Sequence, residues 1–157
     1  MKEIAGVESN KFRILLVDDI PLNLILLEKM LRQYEFKIMK AKSGREALQQ
    51  IEASQSTDEP IDLAVVDLMM PDIDGYQVIE YIRKGHEDDT FHIKARGKEE
   101  LPIIILSGMS FNDDIKKGLA VGANQYLTKP IIMERLYAAV DEELKKKVES
   151  GNYKSAE

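Results

Sequence analysis

Four short apolar runs in this chain each end in a polar residue suited to phosphate chemistry, and their order restricts the fold more than any one motif does. Residues 12–17 lead into Asp18 and Asp19, residues 61–66 into Asp67, residues 102–106 into Ser107, and residues 125–128 into Lys129 and Pro130. In an open parallel sheet the residues after successive strands lie outside the carboxyl ends, along the edge where ligands bind. The order therefore predicts one pocket holding three carboxylates, a hydroxyl and an ammonium.

Between these runs the apolar spacing switches to that of helices, so strands alternate with amphipathic helices, the pattern of a parallel sheet covered on both faces. Pro21 suits a helix's first turn, and Leu22, Ile25, Leu26, Met30 and Tyr34 recur at helical spacing, with Leu24, Leu27 and Leu31 widening that face. Residues 36–41 read as a strand. Ser43 with Glu46 predicts a capping box ahead of Ala47, Leu48 and Ile51. Residues 54–60 are polar and read as a loop, and Val78, Ile79 and Ile82 form one face of a helix after Gly75. Asn112 is expected to cap a helix whose first turn carries Asp113 and Asp114. Met133, Leu136, Tyr137, Val140, Leu144 and Val148 trace the buried stripe of the last helix, and residues 151–157 carry too few apolar groups to dock firmly.

At 157 residues with 44% hydrophobic content, one core is expected. A net charge of −6 argues against nonspecific binding to nucleic acid or an anionic membrane, so no direct nucleic-acid contact is expected. With no cysteines, neither disulfides nor thiolate ligands contribute. Residues 1–10 are too polar for a signal peptide, and no apolar run approaches the roughly 20 residues of a membrane span. A cytoplasmic protein without membrane insertion is the expectation.

Carboxylates brought together repel, and a divalent cation relieves that repulsion through oxygen ligands. Mg²⁺ needs few protein ligands and keeps room for a phosphate, so the cluster predicts Mg²⁺ rather than zinc. A carboxylate facing that metal and an ammonium can attack phosphorus and form an aspartyl phosphate, while Lys129 offsets charge on the phosphoryl oxygens. Asp67 is the candidate nucleophile, since it follows the most central-looking run and leads into the turn at residues 70–75. Ser107 can hydrogen-bond a phosphate oxygen, and Lys129–Pro130 is a bond at which a cis peptide costs little. Asp72 and Asp74 read as turn formers. His86 and His92 lie in a charged stretch without a third ligand and read as solvated.

The runs ILLVDD at 14–19, VVDLMMPDIDG at 65–75, IIILSG at 103–108 and GANQYLTKP at 122–130 together resemble the receiver domain of bacterial two-component response regulators, over residues 11–148. The resemblance implies a flavodoxin-like α/β fold, a doubly wound five-stranded parallel sheet of order 2-1-3-4-5 with five helices. It implies Asp67 as phosphoacceptor, Asp19 as a direct Mg²⁺ ligand, Asp18 acting through metal-bound water, and the backbone carbonyl of Met69 completing the protein ligands. Ser107 and Lys129 would bind phosphoryl oxygens. Tyr126 falls on the family's switch aromatic, expected to turn inward when Ser107 is drawn toward the phosphate. Met69 and Met109 would flank the approach of a hydrolytic water.

Residues 1–10 and 149–157 are expected as tails. Residues 84–100 are longer than the family's usual connection and dense in charge, which predicts a mobile surface insertion. Only a short tail follows the last helix, so direct transcription control is not expected. The implied partners are a histidine kinase as phosphodonor and a downstream protein target, with a homodimer left open. A relay receiver that passes phosphate to a histidine phosphotransfer protein is the alternative. A phosphatase with an aspartate nucleophile, of the haloacid dehalogenase type, is disfavoured because Met69 stands where such enzymes carry a second Asp.

Overall fold

The central strands alternate between two apolar faces, which forces a three-layer arrangement. Leu15, Val17, Ala64, Val66, Ile103 and Ile105 enter one core and Ile14, Leu16, Leu63, Val65, Ile104 and Leu106 the other. Both sides must then be covered by helices. The computed structural model describes residues 2–153. In chain order the elements are β1 (Glu3–Ile4), β2 (Val7–Glu8), β3 (Arg13–Val17), α1 (Pro21–Met30), β4 (Lys37–Ala41), α2 (Gly44–Gln55), β5 (Leu63–Val66), α3 (Gly75–Lys84), β6 (His86–Glu87), β7 (His92–Ile93), β8 (Ile103–Ser107), α4 (Asn112–Val121), β9 (Gln125–Thr128) and α5 (Met133–Glu149).

The main sheet is parallel with order β4-β3-β5-β8-β9, the expected 2-1-3-4-5 arrangement. Helices α2 and α3 cover one face through Ala47, Leu48, Ile51, Val78, Ile79 and Ile82. Helices α1 and α5 cover the other through Leu24, Leu27, Leu136, Val140 and Leu144. The register aligns Val17 with Val66, and Val66 with Ile105, so β3, β5 and β8 end side by side. Side chains just beyond those ends meet above the sheet.

Several local expectations change. In α1 the buried face is Leu24 and Leu27, continued by Leu31, while Leu22, Ile25 and Leu26 are exposed. The helix is apolar nearly all round, so its pattern does not choose a face, and contact with the sheet does. Asn112 does not cap α4. Phe111 holds that position, its carbonyl accepting the N–H groups of Asp114 and Ile115, which makes Asn112 the first helical residue. Ser43 accepts the Glu46 N–H, one half of a capping box, whereas both halves form in α3 between Asp74 and Gln77. Met133 in α5 is exposed, and Glu143 and Lys147 are buried. Glu143 accepts from Asn124 and Gln125, and Lys147 donates to the carbonyls of Asp62 and Glu100, so partners distant in the chain draw both charges inward.

The expected mobile insertion is a packed antiparallel hairpin of β6 and β7. Asp88 closes its loop by accepting from the Thr90 N–H and hydroxyl and the Phe91 N–H, while Phe91 and Ile93 enter the core beside α2 and α3. Arg96 is buried and bonds Glu52 at 2.5 Å. Arg83 fastens the segment to the rest of the chain, donating to the carbonyls of Gly122, Arg96 and Gly97 and to Asn124 Oδ1. Burial lowers its guanidinium to about 10. His86 stacks on Tyr81 at 4.0 Å and lies 2.6 Å from Asp88, so it is engaged within the hairpin, while His92 is exposed. Residues 1–10, read as a tail, include the β1–β2 hairpin, with Ile4 buried. Of residues 149–157, Tyr153 packs on Phe12 at 5.0 Å, and residues 154–157 lie outside the described part.

Candidate functional site

Asp18 and Asp67 leave the ends of adjacent strands, tied by the Asp67 N–H to the Val17 carbonyl at 3.0 Å and the Asp18 N–H to the Ala41 carbonyl at 3.1 Å. Oxygen atoms of Asp18, Asp19 and Asp67 lie within 4.8 Å of one another. Lys129, at the end of β9, places Nζ 3.9 Å from Asp18 Oδ2 and 3.9 Å from Asp67 Oδ1. The predicted order thus brings these four residues into one site. Three closely spaced carboxylates form an all-oxygen donor set, the chemistry a hard divalent cation prefers, and the cluster fits Mg²⁺ in that respect.

The three acids differ in their surroundings. Asp18 is 2% exposed, and its oxygens accept the Ile20 N–H at 2.9 Å and Asn23 Nδ2 at 3.1 Å. Asp19 is half-buried and has no hydrogen-bond partner among the described residues. Asp67 is buried, which pushes its carboxyl above the ordinary carboxylate range; Lys129 and the Met69 backbone N–H pull it down, and Asp18 and Asp19 push it up. Asp67 is therefore held as a desolvated carboxylate beside one cation, a setting that strengthens its interactions with charge. Gly75 lets α3 start close beneath it: a Cβ there would come 2.5 Å from the Asp67 carbonyl oxygen.

Ser107 is fully buried at the end of β8, and its Oγ accepts the Met109 N–H at 3.1 Å. Tyr126 lies one strand over, paired with Ile105, and its hydroxyl donates to the Met109 carbonyl at 2.5 Å. Its ring packs against α4 at Gly118, where a Cβ would meet the ring at 2.9 Å. Ser107 and Tyr126 therefore converge on the backbone of one residue, Met109. Burial raises the Tyr126 hydroxyl above its ordinary range. The Met69 side chain is 66% exposed, and the Lys129–Pro130 peptide is cis.

Two participants were not singled out from the sequence. Asn23 supports Asp18 from the first turn of α1, and its position five residues after the acid was the available signal. Tyr76 donates to the Asp114 carbonyl at 3.3 Å and carries Lys117 4.2 Å from its ring centre, bridging α3 and α4. Nothing in the local pattern distinguishes that tyrosine from a core aromatic.

Residues 14–141 match the model of the response regulator receiver domain. The chain is 32% identical over 147 residues to two-component response regulator ARR11 of Arabidopsis thaliana, covering 94% of this chain and 25% of that protein. It is 34% identical over 128 residues to sensor histidine kinase GacS of Pseudomonas protegens, covering 82% of this chain and 13% of that protein. Across the relatives it matches, the chain spans half of their length or less. Among solved structures, the receiver domain of Francisella response regulator 1452 aligns with a TM-score of 0.69 at 27% identity, covering 85% of this chain and 97% of that one. With matching motifs, strand order and acid cluster, the chain belongs to the receiver domain family of two-component response regulators.

Proposed function

We propose that the chain is a phosphorylation-switched signalling receiver in which Asp67 accepts a phosphoryl group from a histidine kinase. The observation that carries this reading is Lys129 Nζ at 3.9 Å from both Asp18 and Asp67 within a cluster of three carboxylates. One Asp67 oxygen forms a bond to phosphorus as the bond from phosphorus to the kinase's histidine nitrogen breaks, and the electron pair returns to that nitrogen. Lys129 offsets charge on the phosphoryl oxygens, and the Ser107 hydroxyl donates to one of them. Asp19, Asp67 and the Met69 carbonyl would hold Mg²⁺, with Asp18 acting through bound water, and the ion would supply further positive charge beside the phosphoryl group. The chain assists its own phosphorylation and a slow dephosphorylation without turning over an external substrate.

Drawing Ser107 toward the phosphate would pull on the Met109 N–H, and Tyr126 reads the same residue through its carbonyl. The phosphate would thereby bias the face formed by α4, β9 and α5, the surface offered to a downstream protein. Likeness to a receiver within a sensor histidine kinase supports the relay reading, in which phosphate passes on to a histidine phosphotransfer protein.

Incubation with acetyl phosphate and Mg²⁺, followed by intact mass and peptide mapping, tests the acceptor. A single added phosphoryl group on Asp67 is expected, absent in Asp67→Asn. Labelling of that variant at the wild-type rate rejects the assignment.

A further inference from the structure

Two glycines stand one turn apart at the end of α4, and a different side chain is seated against the bare backbone at each. A Cβ on Gly118 would come 2.9 Å from the Tyr126 ring, and one on Gly122, which ends the helix at φ 120°, would come 2.5 Å from Cγ of Arg83. Arg83 lies in the last turn of α3, whereas Asp67 lies by its first, so phosphoryl transfer itself makes no use of it. Its guanidinium is planar, with donors fixed relative to one another. Nε donates to the Gly122 carbonyl at 2.8 Å, Nη1 to the Arg96 and Gly97 carbonyls at 3.1 and 3.0 Å, and Nη2 to Asn124 Oδ1 at 3.0 Å. Asn124 extends the contact, its Nδ2 donating to the Lys98 carbonyl at 3.0 Å and to Glu143 of α5 at 3.1 Å. One side chain of α3 therefore fastens the end of α4 and the start of β9 to the segment that follows the β6–β7 hairpin. The Arg96 N–H, bonded to the Ile82 carbonyl at 2.7 Å, holds that segment to α3 as well.

We propose that Arg83 is a positioning residue that carries the response to phosphorylation from α4 into the β6–β7 hairpin, making the hairpin a second surface that distinguishes the phosphorylated chain. This rests on the reading of Asp67 as phosphoacceptor and of Tyr126 as the switch aromatic. A shift of the Tyr126 ring changes what Gly118 rests on, and a close-packed helix passes the displacement on to Gly122 one turn later. There the Gly122 carbonyl cannot move relative to Arg83 Nε without disturbing the bonds to Arg96, Gly97 and Asn124, because one planar group makes all four. The hairpin is then held to α3 and α4 with a different free energy in the two states, and that difference is the coupling. Its strands span two residues each, so their own pairing does little to resist the change.

Hydrogen exchange of the full chain in Mg²⁺, with and without beryllofluoride as the phosphoryl mimic, reads this coupling at the amides of residues 85–97. A difference of about fivefold or more in exchange rate between the two states is expected there. Arg83→Lys keeps the charge but cannot span four acceptors, and Arg83→Gln removes the charge. In both, exchange in the hairpin should be faster with and without the mimic, and the difference between the states should be lost there while it persists at α4, β9 and α5. A purely structural arginine would raise both rates and leave the difference intact, so that result overturns the role of Arg83, and the milder Arg83→Lys supplies the readout if Arg83→Gln does not fold. An unchanged hairpin in the wild type overturns the inference. If α4, β9 and α5 still respond in that case, the proposed function stands; if they are silent too, both fall.

Discussion

Lys129 Nζ lies equidistant from Asp67 and Asp18, 3.9 Å from an oxygen of each, so one ammonium serves two members of a cluster of three carboxylates. Neither separation is a hydrogen bond. The lysine can therefore move toward an incoming phosphoryl group without breaking a strong contact, and the acids are left under-compensated until a cation arrives.

That imbalance predicts that Asp67 works against folding at neutral pH in metal-free buffer. Burial above all, with the carboxylates of Asp18 and Asp19 adding to it, raises its carboxyl above the ordinary 3.8, so the folded state holds the proton to higher pH than the unfolded chain. The folded state is thus favoured below about the ordinary value, and this advantage is lost as pH rises through the raised one. Asp67→Asn should be more stable than wild type at pH 7, by about 1 kcal/mol for each repulsion between carboxylates removed. The gap should shrink toward pH 4 and on adding Mg²⁺. Calorimetry in chelator at both pH values decides it, and a variant no more stable at pH 7 refutes the argument.

Much of this site was legible from sequence because it depends on strand ends. A buried parallel strand announces itself by its apolar run, and the residue after it is placed by topology rather than by its own neighbours. The α1 face was not legible, since Leu22, Ile25 and Leu26 repeat as well as Leu24, Leu27 and Leu31 do. The burial of Glu143 and Lys147 was not legible either, because the partners that draw them inward, Asn124, Gln125, Asp62 and Glu100, lie far away in sequence. The β6 and β7 strands span two residues each, too short to show a period, so Phe91 and Ile93 were lost among charges.

Mg²⁺ affinity should depend more on Asp19 than on Asp18. Both Asp18 oxygens already accept hydrogen bonds, from the Ile20 N–H and from Asn23, whereas Asp19 has its oxygens free among the described residues. Asp19→Ala should weaken binding by about tenfold or more, and Asp18→Ala by less. With no tryptophan to report binding, calorimetric titration is the suitable measurement. Equal affinity in Asp19→Ala and wild type would sink the assignment.

Lys147 and Asp62 form a buried pair at the opposite end of the sheet, 3.6 Å apart, and burial pushes the lysine down and the aspartate up. Asp62 also accepts the Arg13 N–H at 2.8 Å. Lys147→Met leaves that carboxylate without its cation and should cost about 3–5 kcal/mol. Adding Asp62→Asn keeps an acceptor for Arg13, removes the orphaned charge, and should recover part of the loss. Denaturant unfolding of the two variants tests this. A double variant no more stable than Lys147→Met would show that the lysine acts through packing alone.

The lifetime of the phosphate should be long, and Met69 should help to set it. Hydrolysis needs a water in line with the aspartyl phosphate, and Met69, two residues after Asp67, has a 66% exposed side chain with no group able to orient or deprotonate that water. Met109, two residues after Ser107, is equally apolar, and its backbone N–H and carbonyl are engaged by Ser107 and Tyr126. On this reading, release of phosphate would be left to a partner's phosphatase or to back-transfer. A polar side chain at position 69 would add an orienting acceptor without touching the core, so Met69→Asn and Met69→Glu should both shorten the lifetime. The expected gain is on the order of several-fold, well below the roughly hundredfold or more of a fully positioned base. Decay of phosphorylated wild type beside the two variants, followed by intact mass, measures it. Unchanged decay in both, with folding and Mg²⁺ affinity intact, would place control of the water elsewhere in the site.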